Sequence, residues 1–215
     1  MNVKCEQIHR MFGKLKRYRY PFDESTIPKN GIYIQFENGE MAHSGDRIVR
    51  IGTHDGQDNL RPRLKEHFDD FGRSVFRRKI GTALINRSIM EGTKFWSVND
   101  LKEWSDPEWD TREERFLKMK RYDRLEEAEK QVSKYIRNNI SFVCIEINTK
   151  EKRKYFEARL ISTISNCTEC EKSTLWLGNF STKPKVCKSS LWQEQRLWKD
   201  NLSDIDMQEL IKICV

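Results

Sequence analysis

Apolar residues crowd together with β-branched neighbours in three short stretches, and recur at helical spacing through most of the remaining chain. The stretch Gly31-Ile32-Tyr33-Ile34-Gln35-Phe36 and the stretch Arg47-Ile48-Val49-Arg50-Ile51-Gly52-Thr53 have strand character, so strands are expected near 31–36 and 47–53. Asn38-Gly39 and Ser44-Gly45 lie between them, which reads as an antiparallel hairpin with a long connection. The run Ile140-Ser141-Phe142-Val143-Cys144-Ile145-Glu146-Ile147 is the strongest strand in the chain and is expected at the centre of a sheet.

Helical periodicity fills the gaps. Ile8, Met11, Phe12 and Leu15 share one helical face ahead of the breaks at Pro21 and Pro28. Asp55, Asp58 and Asn59 are candidate caps for a helix carrying Leu60, Leu64, Phe68 and Phe71, with Pro62 harmless in its first turn. Phe76, Ile80, Ala83 and Leu84 predict a second helix from about 75 to 89. Residues 91–110 read as Trp-rich and irregular. Residues 111–138 carry Phe116, Leu117, Met119, Tyr122, Leu125, Val132 and Ile136 among dense Glu, Lys and Arg, as one or two amphipathic helices. A core helix over about 150–165 buries Phe156, Leu160, Ile161 and Ile164, and Leu191, Trp192, Trp198, Leu202, Ile205 and Leu210 predict a helical tail. The order β-β-α-α-(α)-β-α predicts an α/β fold. It would be a small three-stranded mixed or antiparallel sheet flanked by helices, with a helical insertion over 91–138 and a helical C-terminal tail. The expected organisation is a basic N-terminal extension over 1–28, a central domain over 29–180 and the tail over 181–215.

Composition narrows the class. The 215 residues are 37% hydrophobic and 34% charged, and they contain no run of about eighteen apolar residues that would span a membrane. The N-terminus lacks the apolar stretch of a secretory signal, so a soluble, cytoplasmic chain with no membrane partner is expected. The net charge of +7 is modest, but residues 1–20 hold six basic side chains against one acidic, and residues 60–79 hold seven against three. Such clusters beside aromatic residues suit a polyanion such as DNA, since Lys and Arg displace counterions from phosphates. A solvated basic face is the alternative. The six cysteines read as thiols in a reducing compartment. Cys167-Thr168-Glu169-Cys170 has the spacing of a metal half-site, yet Cys187 has no near partner and the C-terminal half contains no His. A closed structural site needs four ligands, so structural zinc is not expected.

Five positions carry candidate chemistry for phosphodiester hydrolysis. Arg63 and His67 lie one helical turn apart, beside the Leu60/Leu64/Phe68 stripe and at the edge of its helix. A guanidinium can hold two phosphate oxygens at once; an ordinary surface Arg and His is the other reading. Glu157 sits at the margin of an apolar helix face, where a half-buried carboxylate requires a metal or a salt bridge to Arg63, Arg153 or Arg159. Tyr33 is either a sheet tyrosine or a proton acceptor, and Asn179 either a turn former or a hydrogen-bonding side chain at phosphate.

In order along the chain, Gly31-Ile32-Tyr33, Arg50-Ile51-Gly52, Arg63 with His67, Glu157, and Trp176-Leu177-Gly178-Asn179 resemble the GIY-YIG nuclease family over residues 29–180. The resemblance implies a compact α/β domain with both tripeptides on neighbouring strands and a catalytic set of Tyr33, Arg63, His67, Glu157 and Asn179. It implies that Glu157 binds one divalent cation, Mg2+ or Mn2+, that Arg63 contacts the scissile phosphate, and that Tyr33, assisted by His67, activates water. Arg50 stands where the family has a second Tyr, and residues 91–138 are an atypical insertion. Arg50, His54, Arg61, Arg73, Arg77 and Arg78 are the expected substrate contacts. The expected function is a metal-dependent DNA endonuclease of restriction, defence or repair type. The alternatives are a nucleic-acid-binding module with altered chemistry, marked by Arg50, and an interaction protein using the charged helices. RNA as substrate and a homodimer both remain open.

Overall fold

The computed structural model describes residues 3–69, 74–105 and 123–214. Three antiparallel strands, β1 (Gly31–Ala42), β2 (Gly45–Gly52) and β3 (Ile140–Glu146), form one sheet in the order β2-β1-β3. Eight α-helices flank it among the described residues: α1 (Val3–Gly13), α2 (Leu60–Phe68), α3 (Val75–Met90), α4 (Val98–Ser105), α5 (Asp123–Asn139), α6 (Lys150–Ser165), α7 (Pro184–Ser189) and α8 (Asp204–Cys214).

The hairpin differs from the sequence expectation. Its connection is only two residues, His43 and Ser44, both at positive φ (50° and 62°), which matches the right-handed twist of the strands. Asn38-Gly39 is not the turn. It lies within β1, where the register shifts between Phe36 and Met41 and Gly39 takes φ 83°. The strand expected at the centre, β3, lies at the edge, and β1 occupies the middle. Tyr18 pairs with Phe142 beyond β3, through Tyr18 N–H to Phe142 O at 2.8 Å and Phe142 N–H to Tyr18 O at 3.0 Å.

Because β1 is covered on both faces, its side chains sort into two apolar layers. Ile32, Ile34 and Phe36 face one way with Ile48, Ile51, Val143 and Ile145, and pack with α1, α6 and α8 through Phe12, Phe156 and Leu210. Tyr33, with Val49 and Phe142, faces the other way, against Leu64 of α2, Phe76 and Ile80 of α3, Val132 of α5, Trp176 and Trp192. Each such fully buried aliphatic or aromatic side chain stabilises the fold by roughly 1.5–3 kcal/mol.

The tail is not one helical segment. Between α7 and α8 the chain runs along the edge of β2, where Trp192 N–H donates to Val49 O at 2.8 Å. The Gln193 amide brackets Ile51, accepting its N–H at 3.1 Å and donating to its carbonyl at 2.8 Å. An unpaired strand edge needs partners for its backbone groups, and this segment supplies them where a helix could not. Residues 91–105, the described part of the stretch expected to be irregular, are more regular than that. Asp100 Oδ2 accepts from Ser97 N–H (2.8 Å) and Ser97 O–H (2.6 Å), and Ser97 Oγ accepts from Asp100 N–H (3.2 Å), which starts α4. Phe71, Phe116, Leu117, Met119 and Tyr122 lie outside the described residues. No helix among the described residues is long and apolar enough to cross a membrane.

Arg77, expected on the substrate, is a structural residue. It is fully buried, and its Nη2 donates to Glu129 Oε2 at 2.5 Å and to Ser133 Oγ at 2.7 Å, tying α3 to α5. Removing one partner strands the other charge in the interior. Arg77→Ala is therefore expected to cost about 3–5 kcal/mol of stability, read as a lower denaturant midpoint. An unchanged midpoint would remove this pair from the fold's support.

Candidate active site

Tyr33 stands on the central strand, directly opposite Gly52 on β2. Its ring lies across that glycine: a Cβ on Gly52 would fall 2.3 Å from Tyr33 Oη and 2.4 Å from Cζ. A Cβ on Gly31 would fall 2.1 Å from Ile145 O. The two motif glycines thus serve space, one for the pairing of β1 with β3 and one for the tyrosine ring. Gly52→Ala is expected to push the ring from its seat and to cost about 1–3 kcal/mol, as for overpacking of a filled interior. Thermal unfolding measures the cost, and an undisturbed Tyr33–His67 hydrogen bond in the variant's NMR spectrum would contradict the steric argument.

His67 is not at the edge of its helix but enclosed. It has no exposed surface, its Nε2 lies 2.8 Å from Tyr33 Oη, and its Nδ1 lies 2.6 Å from Ser74 Oγ. Ser74 is the N-cap of α3, accepting from Arg77 N–H at 3.4 Å. Burial, reinforced by the charges of Arg63, Arg50 and Arg77, holds the imidazole well below its ordinary pKa, so it is neutral at physiological pH.

One turn before His67 on α2, Arg63 Nη1 donates to Glu66 Oε2 at 2.6 Å. Burial works against its charge, but Tyr33 and Glu66 outweigh that and raise its pKa. Glu157 approaches from α6, its Oε1 accepting from Thr53 N–H at 3.1 Å. None of the three salt bridges open to it forms. Arg63 pairs with Glu66, and Arg159 Nη1 with Asp200 Oδ2 at 2.9 Å. Arg153 is fully buried and donates to the carbonyls of Ile147 (3.3 Å), Asn148 (2.8 Å) and Gly56 (2.9 Å). Among the described residues Glu157 makes no ion pair and no second hydrogen bond. Burial raises its pKa, against the opposing charges of Lys154 and Arg50.

Tyr33, Arg50, His54, Arg63, Lys154 and Glu157 all line one cleft of about 460 Å³. A recess of about 290 Å³ shares Arg50, Arg63, Lys154 and Glu157 with it and adds Lys79 and Gln193. Arg50 is 9% exposed, donates from Nη1 to Trp192 O at 2.8 Å, and leaves Nε without a partner. Its guanidinium carbon lies 5.2 Å from the centre of the Phe76 ring. Lys79, Lys154 and Arg63 each pair with a carboxylate, Glu194, Asp55 and Glu66 respectively; among the described residues Arg50 does not. His54 is buried, and its Nε2 accepts Gly31 N–H at 3.3 Å. Burial and then the Arg153 charge lower its pKa, so it forms a neutral wall.

The remaining sequence candidates lie elsewhere. Arg61 is bound to backbone carbonyls, Nε to Ile27 at 2.7 Å and Nη2 to Ser25 at 3.1 Å. Arg78 is half-buried on α3 and does not line the cleft. Arg73 lies outside the described residues. Asn179 lines a different cavity, with Cys167 and Cys170, and its Nδ2 donates to Ser173 O (3.0 Å) and Thr174 O (3.1 Å). Trp176, whose Nε1 donates to buried Glu37 at 3.0 Å, anchors that turn away from Glu157. Asn59 stands at the N-cap of α2, its carbonyl accepting from Arg63 N–H at 3.2 Å, but its side chain makes no cap bond and donates instead to Asp55 O at 3.1 Å.

Sequence reasoning missed Thr53, Lys79, Lys154 and Gln193. Lys79 had a signal: it interrupts the apolar stripe of Phe76, Ile80 and Ala83 on α3, where a cation has to find a polar recess. Burial, then Arg50, lower its pKa to about 8. Lys154 lies one turn before Glu157 on α6. Thr53 and Gln193 gave none, because a backbone amide and a long-range amide bracket leave no local pattern.

Glu157 fits a hard divalent cation. It offers an oxygen with no protein partner beside an open cleft, and Mg2+ is held by one or two carboxylates with water and phosphate completing its shell. A family model described as GIY-YIG domain matches residues 4–214. No curated protein and no solved structure matches the chain.

Proposed function

Because the chain belongs to the GIY-YIG domain family, a family of nucleases, we propose that it is a metal-dependent endonuclease that hydrolyses DNA at the Tyr33–Glu157 cleft. The observation that carries this reading is Glu157, a half-buried carboxylate without an ion-pair partner in a cleft lined by Arg50, Arg63 and Lys154. An uncompensated carboxylate in such a place destabilises a fold unless a cation joins it.

A Mg2+ or Mn2+ ion on Glu157 would neutralise charge on the phosphate and on the leaving oxygen. Arg63, pre-aimed by Glu66, holds two non-bridging phosphate oxygens. Arg50, with no carboxylate of its own, binds the phosphate from the β2 side, in place of the family's second tyrosine. The phenolate form of Tyr33, beside the Arg63 guanidinium, takes the proton of the attacking water at Oη. His67 is a positioning residue: Ser74 O–H donates to its Nδ1, and its Nε2–H donates to Tyr33 Oη. That tautomer turns the tyrosine oxygen's free lone pair to the cleft. His67→Ala is therefore expected to slow cleavage less than Tyr33→Phe; the reverse ranking would exchange their roles.

The test is plasmid nicking by the purified protein in Mn2+, beside the same reaction in EDTA and beside Glu157→Gln. Nicking only by the wild type with metal is expected, since one cleft serves one strand. A second reading rests on Arg50: the cleft binds DNA without cutting it. Salt-sensitive DNA retention in EDTA, with no cleavage in any metal, would favour it over the nuclease.

A further inference from the structure

The sequence offered no closed set of metal ligands, since Cys167 and Cys170 lack a second pair nearby in the chain. The fold supplies one. Helix α1 presents Cys5 and His9 one turn apart, the two-residue hairpin turn presents His43, and Cys170 follows α6. One ligand atom from each of these four residues lies within 4.8 Å of all the others. We propose that Cys5, His9, His43 and Cys170 bind a structural zinc ion that fastens α1 and the β1–β2 turn to the loop after α6.

Four observations support the assignment. The spacing is right: Cys5 Sγ lies 3.3 Å from Cys170 Sγ. Cys170 Sγ lies 3.3 Å from His43 Nε2 and 3.8 Å from His9 Nε2. Tetrahedral zinc, with bonds near 2.0–2.3 Å, sets its ligand atoms about 3.3–3.8 Å apart. The outer ring nitrogens are also engaged. His9 Nδ1 lies 2.9 Å from Cys5 O, and His43 Nδ1 lies 3.8 Å from the Glu169 carboxylate. The Cys5 carbonyl fixes the His9 tautomer that leaves Nε2 free to ligate, and the Glu169 carboxylate lies within ion-pair range of His43.

The third observation is burial. Cys5 has no exposed surface, His9 and Cys170 are 4% and 5% exposed, and the His43 side chain is 3% exposed. They sit against the apolar layer of Ile8, Phe12 and Ile48, where polar groups need strong partners. The fourth is donor chemistry: two sulfurs and two imidazoles in a closed tetrahedral set select zinc over the hard cation that Glu157 would take. Ile48 N–H, 3.2 Å from His9 Nε2, competes for that nitrogen's lone pair in the metal-free chain. Cys167 Sγ, 3.4 Å from His43 Nε2, is a spare thiol beside the set. The cluster shares no residue with the Glu157 cleft.

Elemental analysis of the full chain, purified without chelator or added metal, is expected to find about one zinc per chain. Cys170→Ser should reduce this to near none, and Glu157→Gln should retain it, which separates this site from the proposed catalytic one. If Cys170→Ser fails to fold, exchange of zinc for Co2+ in the wild type decides the matter. Thiolate-to-cobalt charge transfer with tetrahedral d–d bands supports the site. A folded, zinc-free protein that gives no such spectrum overturns it, as does an intact mass showing a Cys5–Cys170 disulfide.

Discussion

Glu157→Gln is expected to slow DNA cleavage by about three decades or more while leaving the folded chain at least as stable in EDTA as the wild type. The substitution keeps the shape and keeps an oxygen for Thr53 N–H, but removes the carboxylate charge proposed to hold the metal. Stability moves the other way because burial raises the Glu157 pKa. As pH rises, the unfolded chain releases this proton at its ordinary value and the folded chain only later. Folded stability is therefore lost between those two values, and the whole cost is present above the folded one. Gln lifts that cost at neutral pH, and the advantage should vanish in acid, where both side chains are neutral. Nicking in Mn2+ and melting in EDTA across pH measure the two effects together. Wild-type cleavage by the variant would remove Glu157 from the chemistry, and a lower melting point at neutral pH would contradict the burial argument.

Arg63→Ala should lower turnover by roughly 10²–10³-fold, the loss typical of one preorganised donor to transition-state charge. Little stability should go with it. Arg63 pairs with the partly exposed Glu66, side chains 26% and 43% exposed, and such pairs contribute about 0–1 kcal/mol. Arg63→Lys should recover only part of the rate, because an ammonium cannot hold two phosphate oxygens in one plane. The contrast with Arg77→Ala is the sharper check: two arginines on adjoining helices, one lost to function and one lost to folding. Unimpaired single-turnover cleavage by Arg63→Ala would refute its placement on the phosphate.

Much of this could be read along the chain. The helices over Val75–Met90 and Lys150–Ser165 and the strand Ile140–Glu146 end within a residue or so of where periodicity placed them. Periodicity is a local property, and the apolar residues of each of these segments are spaced as its own element requires. The order of Gly31-Ile32-Tyr33, Arg50-Ile51-Gly52, Arg63 with His67, Glu157 and Trp176-Leu177-Gly178-Asn179 was enough for the family, because each motif serves one local geometry. Gly52, for instance, leaves room for the Tyr33 ring.

Partner choice was not legible, because it depends on pairings between remote segments. Arg63 and Arg77 look alike in a basic stretch, yet Arg77 meets Glu129 across 52 positions and becomes interior structure. His67 turns inward because β1 brings Tyr33 to it, and Asn179 turns away because its amide closes its own loop. The strongest strand lies at the edge because β1 pairs on both sides. Cys5 and Cys170 are 165 positions apart, and only the docking of α1 on the sheet sets their sulfurs side by side with two imidazoles. Hydrophobic spacing decides which elements form; which charges and ligands meet is decided only when those elements close around a shared core.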